Sequence, residues 1–345
     1  YYNIDYDTKV DFLKYGVFLK SSKNFLKDKL GVSFGIRLDQ DTFTKESSLL
    51  ENTSPRLALS YILSKDNRWK LNFTVGRYFK IPTYTSLGFK NFYNQYVNKS
   101  SKYTRSDHLV SGIEFNSTQS SRFTFEAFYK TYDNYPVSVI DGVSLANKGA
   151  GFEVLGNEAI FTNGRGKAYG LEFLYQQKLS NNFYGIFSYT FFYSKFSGLD
   201  NKFLPSVWDN RHLLSFTGGY KLKKNWELSA KFRYNYKTPY APVDLSSSAK
   251  AYPEIIFDYS QLGNYYLNDF GKLDIRIDKR WNYKTTSLNF YIDIENILIS
   301  NIPVPPEYGL ERDDNGEVIN PLNLTEVVSE SSSSLIPSIG IVFDF

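Results

Sequence analysis

The chain has 345 residues with no cysteine or methionine, 40 Lys+Arg against 36 Asp+Glu, and 29 Tyr, 29 Phe and 4 Trp. Zero Cys excludes disulfides, thiolate metal sites and cysteine nucleophiles, and a formal net charge of only +4 leaves no basic stripe for nucleic acid. No run approaches the ~18–20 unbroken apolar residues of a membrane helix, and no initiator Met or apolar leader is present, so a processed chain or a piece of a longer one is expected.

Nearly every segment reads at period two, the spacing of a strand with one apolar face. In chain order, strands are expected near 8–21, 29–39, 55–64, 69–80, 107–116, 122–132, 167–178, 183–195, 212–222, 226–237, 272–281, 286–298 and 335–345. Phe183, Gly185, Phe187, Tyr189, Phe191 and Tyr193 share one face, opposite Ser188, Thr190 and Ser194. Trp226, Leu228, Ala230, Phe232, Tyr234 and Tyr236 stand opposite Glu227, Ser229, Lys231, Arg233 and Asn235. Leu273, Ile275 and Ile277 alternate with Asp274, Arg276 and Asp278, and Leu288, Phe290, Ile292 and Ile294 with Asn289, Tyr291, Asp293 and Glu295. No segment shows an amphipathic helical period. The fold class is all-β.

Many of these strands run to ~10–12 residues, against ~5–6 in soluble sheets, a length suited to crossing a membrane at a tilt. Short connections (Lys65–Arg68, Ser117–Ser121, Leu179–Asn182, Lys223–Asn225, Asn282–Thr285) alternate with long ones near 40–54, 81–106, 133–166, 196–211, 238–271 and 299–334. That alternation fits an antiparallel transmembrane β-barrel with tight periplasmic turns and long extracellular loops. A soluble propeller would show a repeat every ~40–50 residues, and none is found. Trp69, Trp226 and Trp281 each adjoin a short turn on the apolar phase of their strands, as a membrane-interface girdle requires. Trp208 lies in a long segment.

Other patterns have plain structural readings. Gly164-Arg-Gly-Lys167 lacks the spacing of a phosphate loop and reads as a turn into a strand. Asp313-Asp-Asn-Gly316 lacks the remaining ligands of a calcium loop. His108 and His212 have no second ligand nearby, so no metal site is expected. Asp274, Asp293 and Glu295 face Arg276 and Arg280, which favours a charge-paired wall over an acid–base pair. No nucleophile–base constellation is present; neither an enzyme nor a cofactor is expected.

The chain ends Leu335-Ile-Pro-Ser-Ile-Gly-Ile-Val-Phe-Asp-Phe345. Ser338, Gly340, Phe343 and Phe345 resemble the terminal signal by which barrel-assembly machinery recognises outer-membrane barrels. Gly76-Arg-Tyr-Phe-Lys-Ile-Pro82 with Leu87, Gly164 to Glu172, Trp208-Asp-Asn-Arg-His-Leu213, Lys237-Thr-Pro-Tyr-Ala-Pro242, and Asp274-x-Arg-x-Asp-Lys279 followed by Asp293-Ile-Glu-Asn296 resemble segments of TonB-dependent outer-membrane receptors, in the family's order. The resemblance implies the C-terminal part of a barrel of about 22 strands, of which about thirteen are visible here, enclosing an N-terminal plug that this stretch lacks. It also implies a multi-pass location in the outer membrane of a Gram-negative bacterium, contact with outer-membrane lipid, and an inner-membrane TonB-type energiser acting through the N-terminal part. A surface lipoprotein or other outer-membrane subunits are further partner candidates; nucleic acid is not.

Three functions stand open at this point. The first is energy-coupled import of a scarce nutrient captured by loop aromatics, with Tyr93, Tyr96, Tyr103, Trp208, Tyr240, Tyr252 and Tyr308 as candidate contacts. The others are a passive channel formed by a smaller complete barrel, and a receptor-like structural subunit of an outer-membrane complex.

Overall fold

The computed structural model describes residues 7–149, 155–320, 323–327 and 333–345. In chain order come β1 (Lys14–Phe25), β2 (Leu30–Asp41), β3 (Thr53–Ile62), β4 (Trp69–Lys80), helix α1 (Tyr84–Gly88), β5 (Thr104–Asn116), β6 (Ser121–Ser138), β7 (Ile160–Ser180), β8 (Phe183–Ser197) and β9 (Phe203–Pro205). These are followed by β10 (His212–Leu222), β11 (Trp226–Asn235), helix α2 (Leu245–Ala251), β12 (Phe270–Asn282), β13 (Ser287–Glu295), β14 (Glu307–Leu310), β15 (Leu324–Val327) and β16 (Ile336–Asp344). Fourteen strands make one sheet whose order follows the chain, β1 to β8, then β10 to β13 and β16, with β9 beside β8. A separate ribbon pairs β14 with β15. Among the described residues no helix is long and apolar enough to cross a membrane.

The alternation of side chains becomes rows that run across neighbouring strands within each compact unit. The chain groups into two compact units, the first Tyr1–Ile113, Ala127–Gly170 and Tyr193–Asp209, the second Glu114–Glu126, Leu171–Phe192 and Asn210–Phe345. In the second unit, Phe183 pairs with Tyr220, Tyr220 with Leu228, Leu228 with Ile277, Ile277 with Ile292, and Ile292 with Ile339. Along that apolar row Leu228 is 44% and Ile339 70% exposed. The next row on the other face is polar, running Gly219–Ser229–Arg276–Asp293–Ser338. The first unit repeats the scheme: Leu19, Ile36 and Pro55 share an apolar row, as do Phe34, Leu57 and Val75. A soluble protein rarely leaves so broad an apolar face uncovered.

The strands differ from the sequence expectation at β1, β6 and β7, and short strands β9, β14 and β15 form inside segments 196–211 and 299–334, expected to be connections. β1 begins at Lys14 rather than near residue 8, because its ladder is fixed by the tight Leu26–Lys29 turn and reaches Asp41, where β2 ends. β6 and β7 extend into the segment 133–166 expected to be a loop. Gly164 and Gly166, expected in a turn, lie inside β7, where a Cβ would come within 2.7 Å of Val137 and 2.3 Å of the Phe196 ring. Bare backbone there lets neighbouring side chains lie across the strand. The two short helices carry no readable period either. Each starts at a polar cap, Thr83 accepting from the Ser86 N–H and Asp244 from the Ser247 N–H. Residues 150–154, 321–322 and 328–332 of two long segments lie outside the described residues.

Candidate functional site

The connections at one end of the strands are long, and those of the first unit have a packed interior. Asp41, at the end of β2 and 2% exposed, accepts from the Phe43 N–H (2.6 Å), the Thr44 N–H (2.7 Å), the Thr44 hydroxyl (2.7 Å) and the Tyr103 hydroxyl (2.8 Å). Tyr103 packs with Phe43, Ile81 and Leu87, and Val10, Phe12, Phe79 and Tyr96 close over them. Burial first, and then its hydrogen bond to Asp41, push the Tyr103 hydroxyl's pKa well above the ordinary phenol value. Asn98 joins two connections. Its amide donates to the Ser86 carbonyl (2.6 Å) and the Glu158 carbonyl (2.8 Å), and its side-chain oxygen accepts from the Ile160 N–H (3.0 Å). A third tie is Asp209, fully buried, which accepts from the Ser194 N–H at 2.9 Å.

Against this frame the candidate contacts of the first unit separate by exposure. Tyr93 is 84% exposed, whereas Tyr103 is 1% exposed and committed to Asp41. Tyr96 lies between: its ring meets Phe43 at 5.2 Å, Lys90 and Lys99 stand over it at 4.8 and 5.3 Å, and its hydroxyl donates to the Lys9 carbonyl. Trp208 leaves half of its surface exposed, although Asp209 beside it is buried.

In the second unit Tyr240 and Tyr308 come together with Tyr265, which the sequence reading did not select. The Tyr240 and Tyr265 rings are edge-to-face with centroids 6.1 Å apart. Burial, and then the neighbouring Tyr308, Tyr265 and Glu326, raise the pKa of the Tyr240 hydroxyl. Tyr252 is 40% and Tyr265 46% exposed. Only a side chain's neighbours distinguish Tyr265 from other loop tyrosines, so its selection required the fold. Asp209 had a sequence signal, the Trp208-Asp-Asn-Arg-His run; Asp41 and Asn98 had none.

The short-turn end is chemically different. Trp69, Trp226 and Trp281 are each 41–42% exposed. Lys279 places its ammonium 5.3 Å from the Trp226 ring and 5.5 Å from the Trp281 ring, and donates to the Lys224 carbonyl. An amphipathic indole beside a lysine is suited to the head-group level of a bilayer.

On β16, Ser338 lies opposite Asp293 and Phe343 opposite Leu288, while Phe345 is 99% exposed. Gly340 lies opposite Tyr291, whose ring covers it so closely that a Cβ would come within 2.3 Å. The Arg276 guanidinium lies over the same ring, 3.7 Å from its centroid. Arg276 forks onto Asp278 with two 2.8 Å hydrogen bonds, Lys272 bridges Glu295 (2.9 Å) and Asp274 (3.5 Å), and Arg280 reaches Asp344 (3.3 Å). The polar face is thus a charge-paired wall.

The remaining motifs have local partners. His108 contacts the Ser106 hydroxyl and His212 the Tyr189 hydroxyl, each at 2.7 Å. Asp313 accepts from the Asn315 and Glu317 N–H groups in a turn completed by Gly316 at φ +83°.

The family is settled by comparison. Residues 1–297 match the family model "TonB dependent receptor-like, beta-barrel", and the chain belongs to that family. Among solved structures it is similar to the pyoverdine outer membrane receptor FpvA of Pseudomonas aeruginosa PAO1 (12% identity, TM-score 0.61, covering 97% of this chain and 42% of that one). It is likewise similar to BauA, the ferric preacinetobactin receptor of Acinetobacter baumannii (11%, TM-score 0.59, 97% and 43%). A third is Fiu, the ferric-catecholate import receptor of E. coli K12 (11%, TM-score 0.60, 96% and 44%). No curated protein sequence matches. The chain spans less than half the length of these structures, and its fold is that of their barrels. It is an outer-membrane β-strand protein.

Proposed function

We propose that this chain supplies strands and ligand-capturing loops to an energy-coupled outer-membrane receptor that imports a scarce nutrient, with a ferric chelate as the first ligand class. The observation that carries the reading is the placing of half-exposed aromatic side chains on the long connections: Trp208 in the first unit, Tyr240, Tyr252, Tyr265 and Tyr308 in the second. Such side chains offer large, stiff contact area with a polar tip, at little cost in rotamer entropy. The long connections face the outside, and the polar wall of Arg276, Asp278, Asp293 and Glu295 lines the lumen. Energy coupling belongs to the whole receptor, through an inner-membrane TonB-type protein. The role is binding and transport.

The test is uptake of a panel of ferric chelates by cells carrying the intact receptor, with and without a proton uncoupler. Saturable uptake that the uncoupler abolishes, weakened about tenfold by Tyr240→Ala or Trp208→Ala, is expected. Non-saturable flux indifferent to the uncoupler would make it a passive channel. A tag after Asn315 should be reachable on intact cells, and a tag after Lys224 only once the outer membrane is permeabilised.

A further inference from the structure

Besides the loops, the lipid-facing surface carries a feature that membrane spanning does not require. On β4 the apolar-face residues are Trp69, Leu71, Phe73 and Val75, and the next residue on that face is Arg77. Eight residues separate Trp69 from Arg77, roughly 26 Å of strand at ~3.3 Å per residue, so Arg77 marks the far edge of the apolar band. The same level on neighbouring strands is also charged. Arg77 bonds Asp107 (2.6 Å), Asp107 pairs with Arg105 (3.4 Å), and Arg105 pairs with Asp133 (2.5 Å), which neutralises the row from β4 to β6.

On β7 and β8 the neutralisation stops. Tyr129, Tyr169 and Tyr193 form an aromatic stack on this face, with ring centroids 6.1 and 5.2 Å apart. Two residues beyond Tyr169 is Lys167, and two beyond Tyr193 is Lys195; a further step along β7 gives Arg165. Alternation returns all three to the face of the tyrosines. Lys167 stands 4.5 Å over the Phe203 ring and Lys195 5.9 Å from the Tyr193 ring, while Arg165 is exposed. None of the ion pairs among the described residues includes any of these three. Like charges on adjacent strands repel, yet no acidic side chain lies between Lys167 and Lys195, and Asp133, on the β6 side of Arg165, is already bonded to Arg105.

We propose that Arg165, Lys167 and Lys195 form a docking surface for the phosphate-bearing head group of a membrane lipid, whose acyl chains lie along the tyrosine stack and the apolar band below. Arginine forks onto phosphate through paired N–H donors, and the lysines add point charge. The order along the strands, apolar band, then tyrosines, then cations, matches the order of acyl chain, interface and phosphate in a lipid. This rests on the lipid-facing assignment; that the leaflet is the outer one rests on the orientation proposed above.

The experiment uses the purified receptor in neutral detergent, titrated with fluorescent bis-phosphorylated lipid A and with its dephosphorylated form. Each interfacial cation is worth roughly fivefold, so R165Q/K167Q/K195Q should bind the phosphorylated lipid on the order of 100-fold more weakly. R165Q alone should lose roughly fivefold, and K223Q/K224Q at the short-turn end should bind like the wild type. Heat-modifiability of each variant reports folding, and R165Q keeps the test decisive if the triple variant does not fold. Equal binding of the dephosphorylated lipid, full binding by R165Q and the folded triple variant, or displacement of the lipid by equimolar inorganic phosphate would overturn the proposal. Reversed accessibility of the Asn315 and Lys224 tags with phosphate-dependent binding intact would overturn the orientation and the leaflet, and would support the docking surface itself.

Discussion

Asn98→Ala tests whether the long connections form a built frame or a loose fringe. Asn98 is 2% exposed and makes three hydrogen bonds, to the carbonyls of Ser86 and Glu158 and from the N–H of Ile160. Alanine removes all three and leaves two carbonyls and one amide without that partner. A neutral hydrogen bond contributes about 0.5–1.5 kcal/mol, and each buried group left unsatisfied costs about 1–3 kcal/mol. Water recovers part of this as the connection loosens, which leaves a net cost of about 3 kcal/mol. Because the strands are held by their own ladders, the loss should fall on local opening rather than on the barrel. Hydrogen exchange of the purified receptor in detergent should show the Ile160 and Leu87 amides exchanging on the order of 100-fold faster, with amides in the middle of β3 and β4 unchanged. Tyr93→Ala, at an 84% exposed position, provides the control and should leave all of them unaltered. Unchanged protection of Ile160 in Asn98→Ala would refute the reasoning.

Three further expectations follow from the same geometry. Leu228→Arg on the apolar row should cost about 2–4 kcal/mol in urea unfolding from lipid vesicles, whereas Ser188→Arg on the polar face should cost far less; equal costs would count against a lipid-facing row. Gly340→Val should displace the Tyr291 ring from Arg276 and lower the heat-modifiable fraction in outer-membrane preparations, and Tyr291→Ala in the same chain should restore it, while deletion of Val342–Phe345 should abolish insertion. Finally, the raised pKa of Tyr103 means its stabilising contribution is intact below the ordinary phenol value near 10 and is lost as pH rises above it; Tyr103→Phe should remove that alkaline component from a pH series of unfolding, and an identical pH profile would refute the assignment.

The sequence alone determined the parts of this protein that depend on solvent partition along a strand. Alternation from Trp226 to Tyr236 or from Leu273 to Ile277 sorts the faces of the sheet whatever the neighbours are, because a residue's face depends only on its parity. The short and long connections, the tryptophans at the short-turn end and the Ser338-x-Gly340-x-x-Phe343-x-Phe345 pattern are equally local. Tertiary structure decided what depends on contact between distant segments. It extended β6 to Ser138 and began β7 at Ile160, ahead of Gly164 and Gly166, buried Tyr103 on Asp41 across 62 residues, and gathered Tyr265 with Tyr240. It also set Lys167 and Lys195 on adjacent strands with no carboxylate between them. A tyrosine's composition is the same on a loop surface and in a loop core; which one it occupies depends on the groups that the fold brings to its hydroxyl and its ring.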